Sequence, residues 1–399
     1  MNENKKTIDV TALGELLVDF TMNGQSEQGN QIFEACPGGA PCNVLALLQK
    51  MGKKTAFIGK VGNDQFGKML KATIEEAGID TSSLVFDNKV NTTLAFVHTF
   101  ENGDRDFSFY RNPGADMMLT ATEVNEKTIK NSKIFHFGTL SMTEDGVREA
   151  TKKAVKTARE NGCLISFDPN LRPPLWESLD LAKTQMEYGF AHCDILKISD
   201  NEIQFVSGKE DYDEGIQYLI DRYNIPLILL TMGADGSRAY YKGQKVEQEG
   251  FKVDTIETTG AGDTFCGSAL NYILEHNLHN LSEEELAEML KISNAAAAIV
   301  TTRKGALKSM PTREEILSCR RQGRRFSIEE LCFGCCCWSK RRIFWRDLRI
   351  LQKVVSSRGV KSSDYLHFFL TNCSQNFRMI ETSKEQRIFF DRFFHTFLS

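Results

Sequence analysis

Short apolar segments alternate with helical repeats from residue 8 to about residue 315, and this alternation restricts the fold more than any other feature. The strand-like segments are residues 8–13, 55–61, 133–137, 163–167, 194–198 and 226–231. One helical repeat, followed by Gly52 where a C-terminal glycine belongs, places apolar side chains at i, i+3, i+4 and i+7: Val44, Leu47, Leu48 and Met51. Such alternation predicts a mainly parallel sheet covered by helices on both faces.

Two segments fall outside this pattern. Residues 18–35 have strand-like ends around a polar, glycine-containing stretch. Residues 92–100 and 105–111 are rich in β-formers and are separated by Glu101-Asn102-Gly103-Asp104, which is typical of a hairpin turn. We expect both segments to form a small β flap outside the main sheet and close to the substrate.

The charge of the chain is distributed unevenly. Residues 320–399 carry 16 basic and 7 acidic side chains, a net charge of +9, whereas residues 1–319 carry 33 and 46, a net charge of −13. The overall net charge of −4 gives no reason to expect nucleic acid or an anionic membrane as a partner. No apolar run is long enough for a membrane span or a signal peptide, and the scattered cysteines indicate reduced thiols, so a cytoplasmic location is expected.

The same change of composition divides the chain into residues 1–318 and a basic tail rich in cysteine and phenylalanine, residues 319–399. The strand and helix alternation stops at the tail. We expect the tail to be poorly packed and dispensable for catalysis. Its composition favours a frameshifted or alternatively spliced end, and a genuine extension used for regulation or docking is the alternative.

The sequence Gly260-Ala261-Gly262-Asp263 follows a β-like stretch and opens a helical repeat. Small residues allow the backbone to approach a ligand closely, and amides at a helix N-terminus attract phosphate oxygens. Asp263 in the first turn is expected to stay ionised and to accept a proton from an attacking hydroxyl. The alternative is a glycine-rich turn that Asp263 merely caps. No GxxxxGK[ST] pattern occurs, so a P-loop is excluded.

Two further polar features lie near the N-terminus. A helix is expected to begin within Pro37-Gly38-Gly39-Ala40-Pro41-Cys42-Asn43. The side-chain amide of Asn43 can donate hydrogen bonds to ligand hydroxyls and accept hydrogen bonds from them. Asp19 follows the first strand, at the sheet edge where ligands of parallel sheets bind. Taken singly, an ordinary glycine turn and a solvated loop aspartate explain these features as well.

Together the three features resemble the signatures of the ribokinase-like (PfkB) carbohydrate kinases, in the same order and spacing, over about residues 7–316. Residues 38–44, 109–116 and 168–176 are similar to the fructokinase versions of their segments. The resemblance implies a three-layer α/β/α domain over residues 1–318. It also implies a lid formed from about residues 18–35 and 92–111.

The resemblance implies a role for each matching residue. Asp263 would be the base that activates the primary hydroxyl of fructose, and Gly260, Ala261 and Gly262 would form the anion hole. Residues that would contact the sugar or the phosphates are Asp19, Gly38, Gly39, Asn43, Arg111 and Arg172. Residues that would contact ATP are Lys197, Thr231, Gly233, Gly236 and Asn294.

The implied cofactors are ATP, Mg²⁺ and K⁺. Mg²⁺ dehydrates reluctantly, so it would be held largely through water and ATP phosphates, near Glu202. The segment Ser199-Asp200-Asn201-Glu202 departs from the family pattern Asn-x-x-Glu at its first position. Glu257 stands where the family usually has Asp, beside a monovalent-cation site, and its extra methylene leaves K⁺ activation open.

Other reactive side chains are better explained by packing. Cys36 and Cys42 flank the glycine pair without an obvious base, and His136 lies on an apolar strand, as a core histidine does. The C-x-x-C spacing within residues 332–337 has no nearby partners to complete a zinc site.

The sequence therefore predicts an ATP-dependent fructokinase, a phosphotransferase with an alcohol group as acceptor, that makes fructose 6-phosphate. Its partners would be sugar and nucleotide, and by analogy the flap could pair two copies into a homodimer. The alternatives are a kinase for another small sugar or sugar acid, such as 2-keto-3-deoxygluconate, and a catalytically silent sugar-binding protein. In a further alternative, the tail blocks the site or disturbs folding, so that this chain is inactive although residues 1–318 have the sequence of a kinase.

Overall fold

The computed structural model describes residues 6–99, 105–322 and 325–326. The strands in chain order are β1 (Ile8–Leu13), β2 (Leu17–Gln25), β3 (Gln31–Gly38), β4 (Thr55–Gly62), β5 (Asp80–Asp87), β6 (Leu94–Thr99), β7 (Arg105–Tyr110), β8 (Ser132–Gly138), β9 (Leu164–Asp168), β10 (Ile195–Ser199), β11 (Leu227–Thr231), β12 (Ser237–Tyr241), β13 (Gln244–Gln248), β14 (Lys252–Val253) and β15 (Arg325–Phe326). The helices are α1 (Ala40–Lys50), α2 (Gln65–Glu76), α3 (Glu126–Lys130), α4 (Asp145–Glu160), α5 (Leu179–His192), α6 (Asp200–Ser207), α7 (Tyr212–Arg222), α8 (Ala261–Glu275), α9 (Glu283–Thr301) and α10 (Arg313–Gln322).

Nine strands form the main sheet, in the order β13-β12-β11-β10-β9-β8-β1-β4-β5. Neighbours run parallel except β11 with β12 and β12 with β13, which are antiparallel. The six predicted strands agree with β1, β4, β8, β9, β10 and β11 to within one residue at each end. The predicted mainly parallel sheet is therefore confirmed.

The apolar core lies on both faces of this sheet. Alternate residues of β1 enter different hydrophobic clusters: Ala12 packs with apolar side chains of α1, α8 and α9, and Leu13 packs with those of α4 and α5. Side chains of a strand point alternately to opposite faces, so both faces are covered by helices. The fold is the predicted three-layer α/β/α arrangement.

A second sheet of four strands, β3-β2-β6-β7, forms the predicted flap. Strands β2 and β3 are antiparallel, as are β6 and β7, and β2 joins the two hairpins by running parallel to β6. The predicted hairpin turn at residues 101–104 lies outside the described residues. Since β2 follows β1 after three residues, the flap begins directly at the carboxyl edge of the main sheet.

The predicted domain boundary at residue 318 falls inside a helix. Helix α10 runs on to Gln322, Cys319 is fully buried, and Arg320 pairs with Glu288 of α9 at 2.6 Å. Helix α10, packed on α9, therefore continues past the change in composition. The remainder of the predicted tail, apart from β15, lies outside the described residues. Among those that are described, no helix combines the length and apolarity needed to cross a membrane.

Candidate active site

A cavity of about 890 Å³ opens where the carboxyl ends of the central strands meet the N-termini of α1 and α8. It lies at the edge of a parallel sheet where ligands commonly bind. The predicted site residues that line it are Asp19, Gly39, Asn43, Arg172, Lys197, Glu202, Thr231, Gly233, Gly260, Gly262 and Asp263. The structure therefore brings residues from both ends of the family signature into one site.

The N-terminus of α8 forms one wall of the cavity. Gly260 has a left-handed backbone (φ +77°), and its carbonyl accepts the Thr264 amide at 2.8 Å, which starts the helix. The Ala261 amide donates to the Thr258 carbonyl at 3.2 Å, so its donor is already engaged. Gly262 lines the cavity, so its amide is the nearer candidate for the predicted anion hole.

Asp263 is buried in the first turn of α8, and its Oδ2 accepts a hydrogen bond from Asn43 Nδ2 at 2.8 Å. Burial raises the pKa of Asp263, while the Asn43 donor and the charges of Lys197 and Arg172 act in the opposite direction. The expectation that the helix terminus alone keeps this carboxyl ionised was thus incomplete, because burial outweighs the stabilising partners. A carboxylate with a raised pKa is a better proton acceptor.

Asn43 lies in the first turn of α1 and is 3% exposed. Its side chain has a second polar atom, Oδ1, that is buried without a hydrogen-bond partner. The predicted contact of Asn43 with a sugar hydroxyl stays a prediction, and an acceptor left over in the cavity wall is consistent with it. The hydrogen bond to Asp263 is an additional function that the sequence did not indicate.

The glycine pair before α1 allows two backbone segments to approach each other. A Cβ on Gly38 would lie 2.2 Å from Asp19 Oδ2, and one on Gly39 (φ +124°) would lie 2.4 Å from the Glu15 carbonyl oxygen. No side chain fits at either position without displacing the Asp19 carboxylate or the loop after β1. Gly38 thus contributes by making room for Asp19 rather than by lining the cavity.

Several charged groups face Asp19 across the cavity. Burial raises the pKa of Asp19 to about 7, the charge of Arg172 opposes this, and the charges of Glu257 and Asp263 add to it. Arg172 also lowers the pKa of Asp263. The Arg172 guanidinium therefore acts on both carboxylates, and its predicted place near the phosphates stays a prediction.

Lys197 and Glu202 form the floor of the site, at the end of β10 and the start of α6. Glu202 Oε2 accepts from the amide and hydroxyl of Ser199, at 2.8 and 2.9 Å, and Oε1 accepts from the Leu171 amide at 2.8 Å. Burial raises the pKa of Glu202, but Lys197 and these donors outweigh burial and lower it. Serine thus occupies the family's asparagine position as the N-cap of α6.

The predicted nucleotide residues separate into two groups. Thr231 and Gly233 line the cavity. Gly236 (φ +107°) does not, because it closes the turn into β12, where a Cβ would lie 2.2 Å from the Gln248 carbonyl oxygen. The Asn294 side chain accepts from Ser237 Oγ at 2.9 Å and donates to the Gln248 carbonyl at 3.1 Å. The predicted ATP contact of Asn294 stays a prediction, and the side chain also joins α9 to β12 and the end of β13.

The predicted sugar contact of Arg111 stays a prediction, and the structure places this residue behind the cavity wall. Its guanidinium is 6% exposed and binds Asp116 Oδ2 through Nε at 2.8 Å, the Thr143 hydroxyl at 3.1 Å and the Leu140 carbonyl at 2.9 Å. Arg111 is not among the residues that line the cavity. Through these contacts Arg111 anchors the end of β7 to the body of the protein.

Two buried acids of the site were missed from the sequence. Glu15 lines the cavity, its Oε1 accepts the Ala40 amide at 2.8 Å, and burial raises its pKa to about 7. Asp168 is 2% exposed and binds Lys197. Glu15 follows β1, as Asp19 does, and Asp168 is the last residue of β9, so the argument that selected Asp19 could have selected both acids.

Of the residues assigned to packing, His136 and Cys42 are buried in the core, and Cys36 is partly buried on β3. His136 is 2% exposed, contacts Ser166 Oγ through Nδ1 at 3.0 Å, and has its pKa lowered to about 3 by burial and by Lys197. Cys36 and Cys42 are free thiols whose pKa values are raised by burial. Among the described residues, no cluster of three metal-ligating side chains occurs. The predicted C-x-x-C segment lies outside these residues.

The chain is similar to known carbohydrate kinases over the same region. The family model "pfkB family carbohydrate kinase" matches residues 7–313. Probable fructokinase-2 of Arabidopsis thaliana is 41% identical over 311 residues, which cover 77% of this chain and 94% of the relative.

Two solved structures share the fold and contain bound ligands. The fructokinase of Xylella fastidiosa with bound ATP has a TM-score of 0.71 and 30% identity, over 80% of this chain and 99% of that one. A double mutant of the Vibrio cholerae O395 fructokinase, in a form with fructose, ADP and potassium ion, has a TM-score of 0.71 and 28% identity, over 79% and 99%. With the cavity and its signature residues, these similarities show that the chain belongs to the pfkB family of carbohydrate kinases.

Proposed function

We propose that the protein is a fructokinase that transfers the γ-phosphoryl group of ATP to the primary hydroxyl of D-fructose. One observation carries the proposal: Asp263 lies buried at the N-terminus of α8, in the same cavity as Asp19 and Lys197. A proton acceptor, a hydroxyl-binding carboxylate and a cation meet where helix amides point into the cavity. The Arabidopsis relative named above carries the fructokinase name and is 41% identical to this chain.

The geometry supports a direct transfer. Asp263 accepts the proton of the sugar hydroxyl as its oxygen attacks the γ-phosphorus, the bond to the β-γ bridging oxygen breaks, and ADP leaves. The amides at the start of α8 and the Lys197 ammonium stabilise the charge on the transferred group. Asp19 and Asn43 orient the sugar, and flap closure would exclude water as a competing acceptor.

Mg²⁺ fits this site as an ion held through water. Both oxygens of Glu202 already accept protein hydrogen bonds, and the described residues offer no cluster of three ligands. Glu202 would therefore orient the water shell of the ion. When bound, Mg²⁺ would neutralise negative charge on the ATP phosphates.

A panel of sugars tests the function. With MgATP, we expect kcat/KM for D-fructose to exceed that for 2-keto-3-deoxygluconate, D-ribose and D-glucose by at least about 10², equivalent to about 2.7 kcal/mol of transition-state binding. Coupled measurement of ADP release gives these constants. A higher value for a sugar acid would establish the rival substrate. Sugar binding without turnover would establish the silent binder, and activity that appears only after truncation behind Gln322 would establish inhibition by the tail.

We further propose that K⁺ activates this enzyme weakly. Glu257 is 8% exposed, and its Oε2 accepts the Gly305 amide at 2.9 Å. This carboxylate thus links the segment before α8 to the turn after α9. The extra methylene displaces this carboxylate relative to the family's usual aspartate, and one of its oxygens already accepts an amide, so Glu257 favours a resident K⁺ less than an aspartate would.

The expected result is that kcat in KCl exceeds kcat in tetramethylammonium chloride by no more than about twofold, or about 0.4 kcal/mol. The shorter carboxylate of Glu257→Asp should respond more strongly to K⁺, in both kcat and melting temperature. Matched ionic strength excludes general salt effects. Strong K⁺ activation of the unmodified protein would contradict the proposal.

The outer face of the flap is proposed as the contact of a homodimer in the cytoplasm. Its exposed apolar side chains include Met22 and Tyr110, which are 44% and 65% exposed. Phe96 contacts Phe20, Phe33 and Tyr110 and forms the centre of an aromatic cluster on the flap. Light scattering of the unmodified protein and of Tyr110→Glu would measure whether this face pairs.

A further inference from the structure

Asp168 ends β9 beneath the floor of the active site. It is 2% exposed, and its Oδ1 accepts hydrogen bonds from Lys197 Nζ at 3.1 Å and from the Asn170 amide at 3.2 Å. Its Oδ2 is buried without a partner. Burial raises the pKa of Asp168, and the neighbouring Lys197 opposes that effect. This carboxylate is therefore built into the site although it does not line the cavity.

The partner of Asp168 lies directly against the helix that carries the base. A Cβ on Gly262 would lie 3.1 Å from Lys197 Nζ, so the ammonium sits beside the first turn of α8. Lys197 lines the cavity and is 6% exposed. A full positive charge at this place adds to the partial charge of the helix N-terminus, where a transferred phosphoryl group would lie.

Three carboxylates act electrostatically on the Lys197 ammonium. The charges of Asp168, Glu202 and Asp263 all act on it and outweigh burial, so its pKa is raised. Among the described residues, only Asp168 forms a hydrogen bond with the ammonium. The lysine side chain is a flexible four-carbon chain that ends in a point charge, so its position depends on the partner that anchors it.

We propose that Asp168 is a positioning residue that holds Lys197 beside the anion hole and away from Asp263. Without this anchor, the ammonium would pair with the catalytic carboxylate. A paired Asp263 would be a weaker proton acceptor, because an adjacent positive charge stabilises its ionised form. The buried charge pair thus keeps two oppositely charged catalytic groups close together but separate. The inference rests on the proposed kinase function and deepens it.

Asp168→Asn tests the proposal by neutralising the anchor while keeping its size. We expect kcat to fall by about 10- to 100-fold, the cost of a misplaced catalytic group, with little change in KM for the sugar. The acid limb of the kcat profile should move to lower pH by about one unit, since Asp263 gains a positive partner. Any sugar that the enzyme turns over serves for this measurement.

A double-mutant cycle separates positioning from a general structural effect. If Asp168 acts through Lys197, Asp168→Asn should add little to the loss of kcat in Lys197→Met. If the two residues act independently, the fold-losses of the two single variants should multiply in the double variant. The matched control is Asp194→Asn. Asp194 precedes the opposite end of β10, binds Arg159 at 2.9 Å, and is remote from the cavity. Its substitution should leave kcat and the pH profile unchanged.

A crystal structure of Asp168→Asn with MgADP provides a test that needs no sugar turnover. We expect Lys197 Nζ to lie within hydrogen-bond distance of an Asp263 oxygen. A lysine that remains beside Gly262, or an acid limb that does not move, would overturn the proposal even if the enzyme is a fructokinase. Conversely, loss of the fructokinase assignment leaves this structural result intact. Asp168→Ser is the substitute if the asparagine variant does not fold.

Discussion

Asp263→Asn is expected to lower kcat by about 10³-fold, within the range of general-base contributions. The asparagine keeps the shape of the side chain but cannot accept the proton of the sugar hydroxyl. Its amide oxygen can still accept the hydrogen bond from Asn43, so the site should keep its geometry. Single-turnover kinetics with MgATP would measure the loss, and nucleotide affinity should change little.

The same substitution should also stabilise the protein near neutral pH. Because the pKa of Asp263 is raised in the folded state, the unfolded chain ionises this carboxyl more readily. Ionisation therefore favours unfolding above the unfolded pKa, which is near 3.8. Asn cannot ionise, so the free energy of unfolding of the variant should exceed that of the unmodified protein at pH 7. This advantage should disappear below the unfolded pKa.

The control is Asp180→Asn, which removes another carboxylate from the first turn of a helix, α5, far from the cavity. It should change neither kcat nor the pH dependence of stability in the manner of Asp263. Near-normal turnover in Asp263→Asn would show that the base has been assigned wrongly. A variant that is less stable at pH 7 would show that the raised pKa has been assigned wrongly.

The parts of the fold that depend on local sequence were predictable. Six strands and the flap follow from apolar periodicity and turn residues, and Gly260-Ala261-Gly262-Asp263 opens a helix because its small residues permit the left-handed start at Gly260. Asp19 could be placed because the chain crosses from the sheet to the flap directly after β1. In these cases a few neighbouring residues determine the structure.

Side-chain partners from distant parts of the chain were not predictable. The sequence did not indicate that Arg111 donates to Thr143 and to the Leu140 carbonyl, which the loop after β8 supplies. Nor did it indicate that Asn294 binds Ser237 and the end of β13. The sequence shows that such a side chain can form hydrogen bonds, and only the fold shows with which groups.

Asn43→Ala is the second substitution with a large expected effect. The variant removes the Nδ2 donor from Asp263 and the unpartnered Oδ1 that is available to a sugar hydroxyl. Hydrogen bonds to charged groups contribute about 1.5–3 kcal/mol, so kcat should fall by about 10- to 100-fold. The KM for the sugar should rise as well, because a contact made in the ground state is also lost.

The pH profile distinguishes a partner of the base from a simple sugar ligand. The Asn43 donor lowers the pKa of Asp263 against the effect of burial, so its loss should raise that pKa further. The acid limb of kcat should therefore move to higher pH, opposite to the shift expected for Asp168→Asn. Cys42→Ala, which truncates the buried neighbour on α1, controls for lost packing and should leave the limb in place. If kcat falls in Asn43→Ala while the limb stays fixed, Asn43 serves the sugar alone, and the hydrogen bond to Asp263 contributes nothing to the basicity of the carboxylate.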